Sequence, residues 1–334
     1  MCSLCEHSET GEIMAEASKA IQRHHHITLC VGGAQEDYDF HTQVLGLKSV
    51  KKTALYDGDV PIYHLYYGND VGLESTLVTT FPMRQSGRMG KQGVNQTKVL
   101  MLTILETAVG YWRDRLRDHG FDVEEVEVFG EKHLKFKHPC GIEYELVGVA
   151  NDPRQPYSTG PVPQEFGIHG THGITVSVLD LGLSADFMSE GWGGRLTLEE
   201  GDRARFEVGA GGPGAIVDFL AEPGRPQAGW MYGEGIVHHT AFQVEDFNTQ
   251  DEVKHSLVGM GFTDVSDRKD RGYFDSVYVR TPGGAMFEAT VSKPTGFLID
   301  ESFDELGMSL QVPPVFSDKR DFLIGYLEPL QFSR

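Results

Sequence analysis

Residues 25–31 read HHITLCV, and two later stretches repeat the pattern: residues 172–178 read HGITVSV and residues 238–244 read HHTAFQV. Each stretch is short and rich in β-branched and aromatic residues, which predicts a β-strand. A fourth stretch of this kind, KVLMLT, covers residues 98–103. The chain therefore contains four starts of one repeated unit.

A helical segment follows each of these strands. Its apolar residues recur at spacings of three and four, as on one face of an α-helix. The four segments cover roughly residues 35–46, 107–119, 180–190 and 247–260. Strand followed by helix is thus a pattern that occurs four times along the chain.

The ends of the units repeat as well. Residues 138–146 read HPCGIEYEL and residues 281–289 read TPGGAMFEA, so a Pro-x-Gly turn twice leads into a strand that carries a glutamate. The other two units end in the β-rich stretches TLVTTF, residues 76–81, and AIVDFL, residues 215–220. We therefore predict an α+β fold built from four βαβββ modules.

The chain resembles the vicinal-oxygen-chelate (glyoxalase/extradiol dioxygenase) superfamily over nearly its whole length. The resemblance implies two incomplete barrels, one formed by modules one and four and the other by modules two and three. The predicted boundaries are a polar N-terminal segment 1–23, a first half 24–150 with modules 24–83 and 95–150, a second half 168–293 with modules 168–223 and 235–293, and a C-terminal tail 294–334.

Composition excludes several classes of function. The net charge of −20 over 334 residues repels phosphate backbones, so we expect no nucleic-acid partner. Because no apolar run reaches about 18 residues and no secretory signal is recognisable, we expect a cytoplasmic protein without a membrane span. The four cysteines are too few for a disulfide framework. We expect disorder rather than a metal site at Cys2-x-x-Cys5, since a second CxxC is absent.

The fold places metal ligands on the first and last strands of paired modules, and strand alternation selects one face of each. The first-strand position holds His26, Gly173 and His239 in modules one, three and four. The last-strand position holds Thr79 or Thr80 in module one, Glu145 in module two, Asp218 or a neighbour in module three, and Glu288 in module four.

Modules one and four together offer His26, His239 and Glu288, and we predict that these three side chains bind a metal. Two imidazoles and one carboxylate leave coordination positions open, which suits Fe(II), with Mn(II) as an alternative. The threonine in the fourth position argues against a glyoxalase-type site. Modules two and three offer Glu145 opposite Gly173, so we expect no complete site there and a structural role for Glu145, paired with a basic group.

Six runs of sequence narrow the resemblance further. They are YDG at 56–58, PIYHLYY at 61–67, TTFP at 79–82, GFTDVSDRK at 261–269, RGYF at 271–274 and VRTPGG at 279–284. These runs are similar to hydroquinone ring-cleaving dioxygenases of the 2,6-dichlorohydroquinone 1,2-dioxygenase type. That resemblance implies the metal triad given above and catalytic roles for five residues around it: His25, Thr28, His238, Arg271 and Tyr278.

Two of these residues conflict with simple strand geometry. Strict alternation would point His25 and His238 away from a metal held by the residues next to them. A twist or a bulge would be needed to bring them near. Arg271 and Tyr278 are expected to orient the substrate, and His25 or His238 to transfer protons.

The resemblance implies an Fe(II) enzyme that opens substituted or chlorinated hydroquinones between C1 and C2, incorporating both atoms of O2, in aromatic degradation. Its partners would be a small aromatic substrate and O2, and a homo-oligomer is left open. Three alternatives use the same fold. They are a catechol-type extradiol dioxygenase with the same metal, a metal-free binding protein, and a glyoxalase-like isomerase.

Overall fold

The structure is a computed structural model that describes residues 20–56 and 60–332. The first two modules each contain a strand, a helix and three further strands. Their elements are β1 (Arg23–Val31), α1 (Ala34–Asp39, followed by a π-helical turn Phe40–Val44), β2 (Lys48–Leu55), β3 (Ile62–Gly68) and β4 (Leu77–Pro82), then β5 (Gln96–Leu105), α2 (Val109–Asp118), β6 (Glu124–Val128), β7 (Glu131–Lys137) and β8 (Glu143–Val149).

The third and fourth modules repeat this order, and a tail follows them. Their elements are β9 (Gly170–Val178), α3 (Gly182–Asp186, followed by a π-helical turn Phe187–Gly191), β10 (Arg195–Glu200), β11 (Arg203–Glu207) and β12 (Ile216–Ala221), then β13 (Ile236–Gln243), α4 (Phe247–Gly259), β14 (Lys269–Asp270), β15 (Phe274–Arg280) and β16 (Met286–Ser292). The tail contains β17 (Leu310–Gln311) and α5 (Arg320–Tyr326).

The strands of the described residues form two sheets, each curled into a half-barrel. The first runs β14-β15-β16-β13-β1-β4-β3-β2-β17 and joins modules one and four. The second runs β10-β11-β12-β9-β5-β8-β7-β6 and joins modules two and three. At the centre of each sheet, the first strands of the two modules pair antiparallel. The predicted α+β fold and both module pairings are therefore confirmed.

The helices pack on the outer faces of the sheets, where their apolar stripes are buried. In α2 the buried residues Val109, Trp112 and Leu116 follow the spacing of three and four. The indole Nε1 of Trp112 donates a hydrogen bond of 2.7 Å to the carbonyl of Phe166. Leu29 of β1 and Leu102 of β5 belong to one hydrophobic cluster, so the core is continuous between the two half-barrels.

The module limits, the cysteines and the absence of a membrane span were also predicted, and the sheet topology does not bear on them. The residue limits of the modules stay a prediction. The expected disorder at Cys2 and Cys5 falls on residues outside those described. Cys30 and Cys140, which are described, are both free thiols. In the described part of the chain, no helix combines the length and the apolar character needed to cross a bilayer.

Candidate metal centre

Two β-bulges in the β1–β13 pair set up the site. Thr28 lies opposite His239, but the next pair is Leu29 with Val237, so His238 is an extra residue. In the same way, His24 pairs with Phe242 and His26 with Ala241, which leaves His25 as an extra residue in β1. A bulge breaks strict alternation and turns its extra side chain. The bulges therefore remove the conflict that alternation predicted for His25 and His238.

The structure brings the three predicted ligands together inside the first half-barrel. His26 Nε2 lies 3.1 Å from His239 Nε2, and His239 Nε2 lies 3.0 Å from Glu288 Oε2. The distance from His26 Nε2 to Glu288 Oε2 is 3.9 Å. All three side chains are buried. Their donor atoms are close enough to hold a single ion.

Hydrogen bonds to one oxygen orient the carboxylate of Glu288, and its other oxygen has no hydrogen bond. Oε1 accepts hydrogen bonds from Ser276 Oγ and from Thr290 Oγ1, the latter at 2.9 Å. Oε2 is buried and has no hydrogen-bond partner. Burial acts to raise the pKa of Glu288, but the neighbouring His239 and His26 hold that pKa well below its usual value. Glu288 is thus an anion with one oxygen aimed at the two imidazoles, as a metal ligand requires.

The bulge residues His25 and His238 contact the outer nitrogens of His26 and His239, the two predicted ligand histidines. His25 Nδ1 lies 2.8 Å from His26 Nδ1, and His238 Nδ1 lies 2.7 Å from His239 Nδ1. Burial holds the pKa values of His25, His26 and His238 below the usual histidine value, so these rings are neutral at neutral pH. With each Nδ1 engaged, both Nε2 atoms face the centre. A partner on the second nitrogen is what fixes a ligand histidine in proteins.

Thr79 occupies the fourth ligand position. The parallel pairing of β1 with β4 sets Thr79 beside Thr28, just as the pairing of β13 with β16 sets Glu288 beside Ala241. The Thr79 hydroxyl lies 2.7 Å from Thr28 Oγ1, which in turn lies 2.8 Å from His239 Nε2. Thr80 faces the opposite side of the sheet, where its hydroxyl donates to Asp37. Of the two threonines that the sequence left open, Thr79 therefore faces the site.

Arg271 and Tyr278 lie on the module-four side of the site. The Arg271 Nε donates a 3.0 Å hydrogen bond to the Tyr278 hydroxyl, and the ring centroids of Tyr278 and His239 are 5.8 Å apart. Burial raises the pKa of Tyr278 further above neutral pH, so its hydroxyl stays protonated. Since Arg271 donates to that oxygen, the Tyr278 proton is available to a bound molecule.

Sequence reasoning assigned no role to two polar residues on the module-one side. His64 Nε2 lies 3.2 Å from Thr79 Oγ1, and Tyr66 Oη lies 2.9 Å from His64 Nδ1. Burial lowers the pKa of His64 well below the usual value, so it too is neutral. The two residues are spaced by two on β3 and so share its inner face. That spacing, inside the run at 61–67, was the signal that could have found them.

Aromatic side chains complete the surroundings of the site. The Phe274 ring lies 4.8 Å from that of His26. Tyr232 stacks on His238 at 3.7 Å, and Phe81 contacts His238 at 5.3 Å. Flat aromatic walls beside this cluster of polar side chains suit a small aromatic molecule.

The second half-barrel has the same bulges but a different interior. His172 is the extra residue between the pairs Met101–Gly173 and Leu102–Thr171, so Gly173 stands where the first half-barrel has His239. A Cβ at Gly173 would lie 2.5 Å from the carbonyl oxygen of Ile216. Backbone crowding therefore excludes a ligand side chain at this position.

The last-strand acids of the second half-barrel are paired with bases. Glu145 lies 2.6 Å from His133 Nδ1. Asp218 accepts hydrogen bonds from Arg205 Nε at 2.8 Å and Nη2 at 2.9 Å, and Arg205 Nη1 donates to Glu131 at 2.5 Å. The positive guanidinium of Arg205 neutralises these carboxylates and so takes the place of a metal cation beside them. The observed pairing of Glu145 agrees with the structural role expected for it.

Comparison with known proteins gives a consistent result. A model of the glyoxalase/bleomycin resistance protein/dioxygenase superfamily matches residues 23–146. Chlorohydroquinone/hydroquinone 1,2-dioxygenase of Sphingobium indicum is 39% identical over 315 residues, covering 93% of this chain and 97% of that protein. MhqO of Bacillus subtilis, which carries a provisional name as a ring-cleaving dioxygenase, is 33% identical and covers 92% of this chain and 96% of itself.

Solved structures show the same likeness. The crystal structure of a Bacillus subtilis protein, provisionally described as a dioxygenase, superposes with a TM-score of 0.87 at 30% identity, over 95% of this chain and 99% of that one. Glyoxalase I from Zea mays superposes with a TM-score of 0.60 at 15% identity, over 86% of this chain and 95% of that one. The maize enzyme shares the fold.

Proposed function

The chain belongs to the glyoxalase/bleomycin resistance protein/dioxygenase superfamily, and we propose that it is an Fe(II)-dependent dioxygenase that cleaves hydroquinone rings between C1 and C2 with O2. The observation that carries this proposal is the convergence of two imidazoles and one free carboxylate oxygen beside a threonine. Three ligands leave room for both substrates, and the near full-length likeness to a hydroquinone dioxygenase supports the substrate class.

The donor set fits a divalent metal held by His26, His239 and Glu288. Iron bound there supplies a Lewis acid for one substrate hydroxyl and a redox centre for O2. With Nε2 of each ligand histidine directed to the metal, the ring proton sits on Nδ1. Each Nδ1 then donates to the bulge histidine beside it, which is why we assign a positioning role to His25 and His238.

The remaining polar residues act on the substrate. Tyr278, held by Arg271, donates a hydrogen bond from its hydroxyl to a substrate oxygen and so stabilises negative charge that develops there. Thr28 and Thr79 present hydroxyls next to His239 Nε2, where they border the open side of the centre. A para-diol can place only one hydroxyl at the metal. Its second hydroxyl therefore needs a polar group elsewhere in the cavity, and Arg271 and Tyr278 provide one.

Oxygen uptake tests the substrate class. The protein is purified without oxygen, loaded with Fe(II), and given hydroquinone, chlorohydroquinone, methylhydroquinone or catechol. We expect uptake with the para-diols to exceed uptake with catechol at least tenfold, since about 1.4 kcal/mol of preference gives that ratio. Uptake with catechol alone would keep the metal centre and replace the substrate by an ortho-diol. An absence of uptake with bound iron would support a binding protein or an isomerase.

Iron content tests the ligands. Glu288→Gln replaces the free anionic oxygen by a neutral amide, so we expect most of the iron to be lost after anaerobic reconstitution and desalting. Glu145→Gln is the matched control, because that glutamate has the last-strand position of module two in the second half-barrel, and the change should leave iron content unchanged. Near-normal iron in Glu288→Gln would rule out the triad.

A further inference from the structure

A second group of two imidazoles and a carboxylate lies on the other face of the strands that line the first site. Thr79 and His64 face the first site, whereas Thr80 of β4 and Tyr67 of β3 face the side chain of Asp37. The group consists of Asp37, His41 and His138, whose ligand-type atoms all lie within 4.8 Å of one another. Among the described residues, two groups of three such side chains have their ligand-type atoms this close together: this group and the first site.

The three residues come from two modules. Asp37 lies in α1 and His41 in the π-helical turn that follows it, so the two are four residues apart on one helical face. His138 follows β7, in the turn that leads to β8 of module two. The group therefore spans the junction between the two half-barrels. Asp37 and His41 are 0% exposed and His138 is 2% exposed.

The spacing of the three residues matches that of ligands on one ion. Asp37 Oδ1 lies 3.2 Å from His41 Nδ1 and 3.2 Å from His138 Nε2. Ligands bound to zinc at about 2.0–2.1 Å in a tetrahedron lie roughly 3.3 Å apart. Asp37 Oδ1 and His138 Nε2 are both buried, and neither atom has a polar partner outside the group. In the first site, Glu288 Oε2 is likewise buried without a hydrogen bond and lies 3.0 Å from an imidazole nitrogen, His239 Nε2.

The outer atoms of all three residues are held by neighbours. Asp37 Oδ2 accepts hydrogen bonds from Tyr67 at 2.7 Å and from Thr80 at 2.6 Å. His41 Nε2 lies 2.9 Å from the Tyr144 hydroxyl. Burial acts to raise the pKa of Asp37, yet His41 and His138 hold that pKa well below the usual range, so the carboxylate is ionised. A buried anion that faces two imidazoles favours a cation between them.

Metal binding requires the ring protons to lie on the outer nitrogens. Without metal, His41 Nδ1 is 3.0 Å from the Asp37 carbonyl, and the Cys140 amide donates to His138 Nδ1 at 3.1 Å, which keeps the inner nitrogens protonated. When the metal binds, each proton moves to the outer nitrogen of its own ring, and the hydrogen bonds of His41 Nδ1 to the Asp37 carbonyl and of the Cys140 amide to His138 Nδ1 are lost. The acceptors there are the Tyr144 oxygen for His41 and, at 2.9 Å, Cys140 Sγ for His138.

We propose that Asp37, His41 and His138 form a second, structural metal site that binds Zn(II) and fastens helix α1 to the β7–β8 turn. Two nitrogens and one carboxylate oxygen are ligands that zinc accepts, and a water molecule would complete the tetrahedron. The burial of the group favours a structural role over a catalytic one. This site is separate from the proposed catalytic centre, so either assignment can fail without the other.

Zinc stoichiometry tests the proposal. The protein carries Cys2→Ser and Cys5→Ser, which prevents zinc from binding to the terminal thiols, and is equilibrated with Zn(II) and desalted. We expect two zinc ions per chain, one in Glu288→Gln, one in Asp37→Asn, and none when those two changes are combined. Zinc should also raise the melting temperature of Glu288→Gln, and this rise should disappear in the combined variant.

The controls separate binding from folding. His138→Phe fills the same space without a ligand atom, so it should lose one zinc even if Asp37→Asn does not fold. His133→Gln, in the buried pair with Glu145, should keep both ions. One zinc per chain in the starting protein, with none in Glu288→Gln, would overturn the second site. Two ions retained by both Asp37→Asn and His138→Phe would overturn it as well.

Discussion

In the first site, hydrogen bonds hold the atoms of His26, His239 and Glu288 that point away from the centre. The Nδ1 atoms of His26 and His239 contact the bulge histidines, and Oε1 of Glu288 contacts Ser276 and Thr290. The remaining polar atom of each side chain, Nε2 of the two histidines and Oε2 of Glu288, points to the centre of the site. Because rings and carboxylate are buried, the neighbours that fix them cannot be exchanged for water without cost.

A substitution of His64 tests whether hydrogen bonds also position the side chains on the Thr79 side of the site. His64→Phe removes the partner of Thr79 and of Tyr66, which leaves Thr79 free to rotate away from Thr28. Losing one such hydrogen bond costs about 1 kcal/mol, so we expect kcat/KM for hydroquinone to fall roughly fivefold to tenfold. Steady-state kinetics measure this effect, and iron content should stay unchanged because His64 is not a ligand.

Tyr66→Phe is the conservative companion of that change. It keeps the ring and removes only the hydroxyl at the far end of the chain of hydrogen bonds, so we expect a smaller loss than in His64→Phe. Equal kcat/KM in His64→Phe and the parent protein would show that Thr79 needs no such partner. A loss of iron in His64→Phe would instead assign His64 to metal binding.

Residue types at repeated positions predicted the three side chains that converge in the first half-barrel, whereas the contacts around them could be seen only in the structure. His26, His239 and Glu288 could be found because their modules align. The bulges at His25 and His238 could not, since an extra residue in one strand depends on the register of a partner more than two hundred residues away. The Asp37 group escaped sequence analysis for the same reason: His138 reaches it from another module.

At the scale of strands and sheets, the two half-barrels share one plan and differ in the groups inside them. Both have the paired bulges, but Gly173 stands at the position of His239, and Arg205 is buried between Asp218 and Glu131. The pattern of strands and helices was predictable because periods of 2 and 3.6 residues are local. The Arg205 ion pairs were not, since they join β11 to residues of other strands.

Arg205→Met tests the ion pairs. The change leaves the buried Asp218 and the partly exposed Glu131 without their shared cation, and breaking a buried pair such as Arg205–Asp218 costs about 3–5 kcal/mol. Urea unfolding should show that loss while iron binding in the folded protein is unchanged. Arg205→Met combined with Asp218→Leu should recover part of the stability. An unfolding free energy within error of the parent protein would contradict this account.

His172→Ala probes the same half-barrel from its bulge. His172 corresponds in position to His238, but its neighbour is Gly173 rather than a ligand. We therefore expect iron content and kcat to be retained, in contrast to His238→Ala, where His239 loses the partner of its Nδ1. Metal analysis and oxygen uptake on the two variants give the comparison. Iron loss in His172→Ala would show that the second half-barrel also binds it.

At the scale of the whole molecule, the C-terminal tail is attached to the outer edge of module one. β17 pairs with β2, and a Cβ at Gly307 would collide with the Ser49 carbonyl, so the backbones are in close contact. Lys52 donates to the Gly307 carbonyl, and its ammonium lies 4.4 Å from the centre of the Phe332 ring. The sequence predicted a tail but not this attachment, because nothing local marks Lys52 as buried.

Burial of Lys52, which is 1% exposed, lowers its pKa from 10.5 to about 8, although Glu301 acts to raise it. Between these values the unfolded chain holds a proton that the folded chain has released. Stability linked to this residue therefore rises as pH increases from about 8 to 10.5 and is lost as pH falls through that window. The shift corresponds to about 3 kcal/mol.

Lys52→Met should remove this dependence. Other groups titrate alike in both proteins, so the unfolding free energy of Lys52→Met minus that of the parent should fall by about 3 kcal/mol between pH 8 and pH 10.5. Urea unfolding across that range measures it. Lys52→Arg keeps a charge that does not titrate there and should also lose the dependence. Parallel curves for the parent protein and Lys52→Met would mean that the ammonium is solvated and that the tail does not bury it.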